Sequence, residues 1–309
     1  MRKPELVISC GTVAELKRFI EAGADSVIVG EERYAMRLPG EVKLDEIADA
    51  VAWVHEKQAK VYVSVNKIFD NASLDGLFEY LSKLQEYGVD GVIFGDPAVL
   101  MAARNLPKPL TLHWNAEMTS TNFATANYWG RQGAARVVLA RELNMEQVLA
   151  FKEHTELAVE VQVHGITNIY HSKRELVKNY MEHQGKDASS EDRSIERGLF
   201  LIEHERRDQR YPVYEDSNGT HIMSSEDVCM LENLPELMDG SIDSFKIEGL
   251  LKSAEYNETV VRSYRAVIDA YAADPEGFVF QQEWLDAIAE LQDSERELSF
   301  GFFYKEQVY

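Results

Sequence analysis

Eight short apolar runs recur along this chain, and nearly every one stops on a polar residue. The runs are Leu6–Ser9, Ser26–Val29, Val61–Val65, Gly91–Phe94, Leu110–Trp114, Arg136–Ala140, Ala158–Val163 and Ser244–Ile247. At or just past their ends stand Glu31, Asn66, Asp96, Asn115, Arg141, His164 and Glu248. Helix-type sequence follows most runs. Strands too apolar to be solvated on either face, alternating with helices, predict a parallel sheet closed as a TIM-like (β/α)8 barrel. In that fold the chemistry sits at the C-terminal strand ends, so the polar stops mark where a site should be sought.

The helices carry their own punctuation. Thr12 with Glu15, and Asn144 with Gln147, have capping-box spacing, and Gly23 supplies a C-terminal stop. Ser73 and Gly88 bracket a helix. Asp96-Pro97 is an N-cap followed by proline at the first helical position. The rhythm breaks from Gly165 to Asp243, a connection far longer than the others, of the kind that is functional or disordered. Within it Tyr211 to Met223 alternates about Asn218-Gly219 and predicts a hairpin. Ser225 to Met238 predicts a helix interrupted near Pro235. Ala254 to Ala272 predicts a long amphipathic helix. The expected organisation is a barrel over 1–164 and 244–280, an inserted subdomain over its mouth at 165–243, and a C-terminal extension at 281–309.

Charge narrows the function classes. Thirty-two basic against 53 acidic side chains leave a formal net charge of −21. Such a surface repels phosphate backbones and anionic lipid, which disfavours stand-alone nucleic-acid or membrane binding. The two cysteines, Cys10 and Cys229, make no disulfide framework and point to the cytoplasm. No apolar run approaches the roughly 20 residues that span a bilayer. The run after Met1-Arg2-Lys3 is too short for a signal-peptide core.

No hydrolase, P-loop or metalloprotease signature is present. The candidate site is therefore positional: Arg37, Asn66, His113, Asn115, Glu117, Arg141, His164, Lys246 and Glu248 all fall at or near predicted strand ends. His164 has the chemistry of a general acid or base near neutral pH. Lys246 and Glu248 are two apart on one strand and face the same way, as a catalytic pair or as a structural ion pair. Arg37 and Arg141 have the geometry to hold a carboxylate, or to bridge surface acids such as Glu31 and Glu142. The histidines lack metal-ligand spacing.

Several stretches together resemble the peptidase U32 family. They are Glu21-Ala22-Gly23-Ala24-Asp25, Arg33-Tyr34-Ala35-Met36-Arg37, Val61 to Asn66, Val137 to Leu143, and Val163-His164-Gly165. The most specific are Ser225-Glu226-Asp227-Val228-Cys229 and Asp243 to Gly249. Ser294-x-Arg296 followed by Gly301-Phe302-Phe303 matches the family's closing motif. The likeness runs in order along essentially the whole chain.

The resemblance implies a TIM-like barrel and, in many members, four cysteines holding an iron–sulfur cluster. One branch hydroxylates the wobble uridine of tRNA at carbon 5 with prephenate as a required metabolite; another hydroxylates the ubiquinone ring. This chain departs from the pattern at the cluster. Asn168 and Glu175 stand where the first two cysteines are expected, the third is missing, and Cys229 alone matches the fourth. A four-iron cluster takes four ligands, so the expectation is a chain without a cluster. Leu250 stands where members often carry arginine. The chain is similar to the short, cysteine-poor members found beside a longer one. The resemblance thus implies a subunit of a prephenate-dependent tRNA hydroxylase forming 5-hydroxyuridine. Its partner would be a longer cysteine-containing paralogue that brings the cluster and most tRNA contacts. The alternatives are a U32-type protease and a non-catalytic scaffold for such a paralogue.

Overall fold

Short β-branched runs cannot leave both faces in water, and here they bury them by closing on themselves. The computed structural model describes residues 2–116, 121–187 and 191–306. Strands and helices alternate as β1 (Glu5–Ser9), α1 (Val13–Ala22), β2 (Ser26–Val29), α2 (Leu44–Glu56), β3 (Lys60–Val65), α3 (Leu77–Tyr87), β4 (Gly91–Phe94) and α4 (Pro97–Ala103). They continue as β5 (Leu112–Asn115), α5 (Phe123–Gln132), β6 (Ala134–Val138), α6 (Met145–Glu153) and β7 (Ala158–Ser172). Next come α7 (Leu176–His183), β8 (Phe200–Ile202), β9 (Arg210–Asp216), β10 (Gly219–Cys229) and α8 (Leu234–Asp239). The chain ends with β11 (Ser244–Glu248), α9 (Ala254–Ala273), α10 (Gln282–Ala289) and β12 (Leu298–Ser299).

Strands β1 to β7 pair in parallel in chain order, and β11 pairs with both β1 and β7. That closes an eight-stranded parallel barrel, the TIM-like (β/α)8 fold expected from the runs. The caps form as the sequence dictates. Thr12 Oγ1 accepts from Glu15 N at 3.1 Å, Asp96 accepts from Ala98 N at 2.8 Å, and Asn144 and Gln147 exchange bonds at 3.0 Å.

Three elements differ from expectation. Strand β7 does not stop at Val163 but runs on to Ser172, so the boundary placed at residue 164 falls inside one strand. Its outer half pairs antiparallel with β10, which pairs with β9, and β9 with β8. The hairpin about Asn218-Gly219 forms, but Ser225 to Cys229 continues as strand because β7 offers it a ladder. Only Leu234–Asp239 is α-helical there, and Pro235 lies in its first turn, where it starts the helix instead of interrupting it. Ser73 caps no helix; it closes a local turn with Asp70, and α3 begins at Leu77.

The barrel interior is layered. Val7, Ile28, Tyr62, Ile93 and Val138 make an apolar layer across its middle. On the N-terminal side lies a buried ion network. Arg136 donates to Glu160 at 2.8 Å and to Glu5, and Tyr62 donates to Glu5 at 2.6 Å. Burial would raise the Glu5 pKa, but the charge of Arg136 and the Tyr62 hydrogen bond outweigh it and hold the carboxyl down to about 2. Lys60 reaches Glu5 from the exposed side at 3.4 Å, but Arg136 is the buried cation between the two carboxylates, so the network depends on it. Arg136→Met is therefore expected to cost about 3–5 kcal/mol of unfolding free energy, the range for removing one partner of a buried pair. Urea unfolding of both proteins measures this, and a loss below about 1 kcal/mol, the value of an exposed ion pair, would show that water already shares the site.

Candidate functional site

The C-terminal strand ends converge on a small polar cavity of about 40 Å³. Ser9, Asn66, Asn115, Lys246 and Glu248 line it from the barrel strands, with Arg37 and Arg141 from the loops that follow β2 and β6. Lys246 Nζ lies 3.2 Å from Glu248 Oε2, and both side chains are nearly buried. The other Glu248 oxygen accepts from Ser9 Oγ at 2.5 Å, and Ser9 Oγ accepts from Gly249 N at 2.8 Å. The lid is apolar: Met36, Leu38, Ile166, Met223 and Leu250. Leu250, in place of the family's arginine, packs with Ile166, Tyr214 and Met223.

Arg37 is carried there by a strained turn. Its φ is +58°, in the left-handed region that non-glycine residues rarely occupy. Asn66 fixes the preceding residue: its Oδ1 accepts from Met36 N at 2.9 Å, and its Nδ2 faces Met36 O at 3.4 Å. Asn66 is thus a positioning residue, its amide committed to backbone. Outside the lid a wider cleft of about 240 Å³ is lined by Arg37, Arg141, Glu142, Asn168, Tyr170 and His171, among others. Arg37, Arg141 and Asn168 border both spaces. Arg37, Arg141 and Lys246 share the inner cavity with two carboxylates, Glu248 and Glu160, and Glu160 is already held by Arg136 from the N-terminal side. That leaves guanidinium groups at the mouth suited to an anion with acidic groups.

His164 does not join them. Alternation along β7 turns its side chain outward, behind the barrel wall, where it is fully buried against α9. Tyr256 OH lies 2.9 Å from Nε2 and Tyr264 OH 3.2 Å from Nδ1. Tyr264 OH donates in turn to Val163 O at 2.8 Å and accepts from Met230 N at 3.1 Å. The neutral ring protonated on Nδ1 satisfies every partner. His164 is a pin between strand and helix, not an acid or base in the mouth. Its neighbour explains the spacing of the pair: Gly165 has φ +98°, and a Cβ there would meet Glu248 O at 2.3 Å, so β7 and β11 approach closely only with glycine. His113 is also misplaced by the strand-end argument. It lies inside the barrel beside Tyr62 and Gly91, away from the mouth cavity. Glu117 lies outside the described residues.

Sequence reasoning missed Ser9, Ser64, Asn168 and Met223, which also line the cavity. Ser9 and Ser64 were legible as inward positions of their runs; Asn168 and Met223 depend on the pairing of β7 with β10.

The residues present do not fit a four-iron cluster. Glu175 pairs with Lys178 at 3.1 Å and Arg193 at 3.9 Å, and the next residue, Leu176, binds Thr220 near the start of β10. Cys229 lies at the other end of β10, paired with His164. Burial raises its pKa, and Tyr264 stands 3.8 Å away. Among the described residues no group of three or more His, Cys, Asp or Glu is placed to hold a metal ion. No described helix is long and apolar enough to cross a membrane.

Residues 11–308 match the family model described as Peptidase family U32. The chain is 49% identical over 310 residues to tRNA hydroxylation protein P2 of Bacillus subtilis, covering 100% of both proteins. It is 32% identical over 314 residues to tRNA hydroxylation protein P1 of the same organism, covering 100% of this chain and 74% of that one. A solved U32 peptidase structure superposes with a TM-score of 0.51 at 18% identity, covering 80% of this chain and 94% of that one, which shows a shared fold.

The buried imidazoles make stability depend on pH. Burial lowers the pKa of His164 to about 3, and burial reinforced by the charge of Arg136 lowers that of His113 to about 3. Both lie below the ordinary value of about 6.5, so the folded state binds fewer protons than the unfolded one. The stabilisation is complete above pH 6.5 and is lost as pH falls toward 3. Each ring should cost about 1.4 kcal/mol per pH unit below about pH 6. Unfolding free energies at pH 7, 6 and 5 should fall more steeply for the native protein than for His164→Gln. Parallel profiles would show that His164 is hydrated and not buried.

Proposed function

The chain belongs to peptidase family U32, and we propose that it is a subunit of a tRNA hydroxylation system forming 5-hydroxyuridine at the wobble position. The full-length identity to a tRNA hydroxylation protein carries this reading. The mouth supports the finer part: Arg37, Arg141 and Lys246 converge where a dicarboxylate such as prephenate would bind as co-substrate. A buried carboxylate without such partners would be costly. The inner cavity is too small for that molecule as it stands, so the acid groups enter from the wider cleft that shares both arginines. The chain binds no cluster of its own, and a longer cysteine-containing paralogue supplies it together with most contacts to tRNA. The system works in the cytoplasm.

The protease reading lacks a nucleophile. Burial pushes the Cys10 and Cys229 thiols up, away from the reactive thiolate form. Ser9, the hydroxyl nearest the mouth, is 3% exposed and donates to a carboxylate whose other oxygen is held by Lys246. The scaffold reading has no use for three cations held in one cavity.

The experiment is mass spectrometry of tRNA nucleosides from a deletion strain carrying either the native chain or Arg141→Ala. Loss of 5-hydroxyuridine-derived nucleosides in the deletion, restoration by the native chain, and at least a tenfold deficit with Arg141→Ala at an unchanged thermal midpoint are expected. Undiminished modification in the deletion strain would end the hydroxylation reading. Separately, anaerobically purified chain should be colourless and carry iron well below one atom per chain; a broad visible absorption with stoichiometric iron would refute the assignment of the cluster to a partner.

A further inference from the structure

A second cavity, wider than the inner one, flanks the mouth. It measures about 320 Å³ and lies between the ends of β6 and β7, strand β10 and the C-terminal tail. Its walls are apolar, among them Leu143, Val148, Val161, Tyr211, Val228 and Phe302. Its rim carries three cations, Arg141, Arg206 and Lys305, with Glu226 among them, and Arg206 lies 3.6 Å from Glu203. Lys305 Nζ stands 5.0 Å over the Phe302 ring and 3.3 Å from Glu226. Thr167 and Ser225 bring hydroxyls, neither engaged with another described residue.

The tail is built into this wall. Gly301 has φ +56°, and a Cβ there would press on Val228 at 2.9 Å, so only glycine lets the turn lie against β10. The turn brings Phe303 O to Met145 N at 2.9 Å, at the start of α6. Gly301-Phe302-Phe303 thereby gains a role that neither the barrel nor the mouth requires.

A cavity with aromatic and aliphatic walls, two uncommitted hydroxyls and cations at its rim has the chemistry to hold a hydrogen-bonding ring attached to a phosphate. Its volume is in the lower part of the roughly 300–1,000 Å³ range of small-molecule sites, room for one nucleoside but not a run of strand. An enzyme working on a base must take it out of the stack into such a pocket. Arg141 lines this cavity, the mouth cavity and the outer cleft alike. We propose that the cavity receives the pyrimidine nucleotide extruded from the RNA, with Arg141 shared between it and the anion in the mouth. The assignment rests on the hydroxylation reading and adds the place of its substrate. The local basic rim supplies the phosphate contact within a surface that is otherwise acidic.

The test uses the full chain and uridine 5′-monophosphate, followed by ligand-observed NMR titration. Two variants touch this cavity and neither of the others: Ser225→Phe, which fills it, and Lys305→Glu, which reverses its rim. Both should weaken nucleotide binding at least tenfold while leaving prephenate binding within twofold. Arg141→Ala should weaken both ligands. Because Lys305 is exposed, its variant keeps the test intact if Ser225→Phe does not fold. Nucleotide binding unchanged in Lys305→Glu, nucleotide competing with prephenate for one site, or no nucleotide binding by the native chain overturns the proposal. Each of these results leaves the deletion-strain phenotype, and so the hydroxylation reading, standing or falling separately.

Discussion

A carboxylate buried without solvent must be matched by cations, and Asp227 is matched from two other parts of the chain. Arg296 grips both its oxygens at 2.7 and 3.1 Å, Lys252 reaches it at 2.5 Å, and Gln292 donates at 2.8 Å. Burial alone would raise its pKa; the Arg296 hydrogen bonds and the Lys252 charge reverse this and hold it well below the usual carboxylate range. Arg296 belongs to the tail, Lys252 to the loop after β11, and Asp227 to β10 at its register break against β7. Strand β12 is fixed alongside β10 by the same junction. Met223 of the lid and Val228 of the flanking cavity's wall both lie on β10, so their placement depends on this one buried charge.

The same logic, repeated at the mouth, separates local from global electrostatics. A chain of formal charge −21 repels polyanions at a distance. At the mouth Arg37, Arg141 and Lys246 gather beside Glu160 and Glu248, and low polarity strengthens every charge interaction there. The proposed function asks the surface to repel polyanions and the mouth to take small ones. That division suits a subunit that holds a metabolite and one nucleotide while another chain carries the bulk of the RNA.

The family label and the geometry point in different directions. A peptidase would need an activated nucleophile, whereas the mouth offers a serine tied to a carboxylate and thiols sealed in the wall. The cysteine-poor sequence agrees with the separation of Glu175 and Cys229 at opposite ends of β10.

Hydrophobic periodicity alone determined the barrel, the caps of α1, α4 and α6, the hairpin at Asn218-Gly219 and the long helix α9. These depend on burial and on partners a few residues away, which a linear sequence displays. It also brought Arg37, Asn115, Arg141, Lys246 and Glu248 to one place, because strand ends of a closed barrel must converge. It failed where side-chain direction matters. His164 and Lys246 both lie where their apolar runs stop, yet one faces α9 and the other the cavity, since alternation sends neighbouring residues to opposite sides of the wall. The continuation of β7 past the barrel was hidden for a related reason. Residues 164–172 become strand only because β10, more than forty residues on, supplies the ladder, and a long-range pairing leaves no local periodic mark. The shared position of Arg141 between three spaces, and the use of Gly301 to seat the tail, were likewise decided by contacts that exist only once the chain has closed.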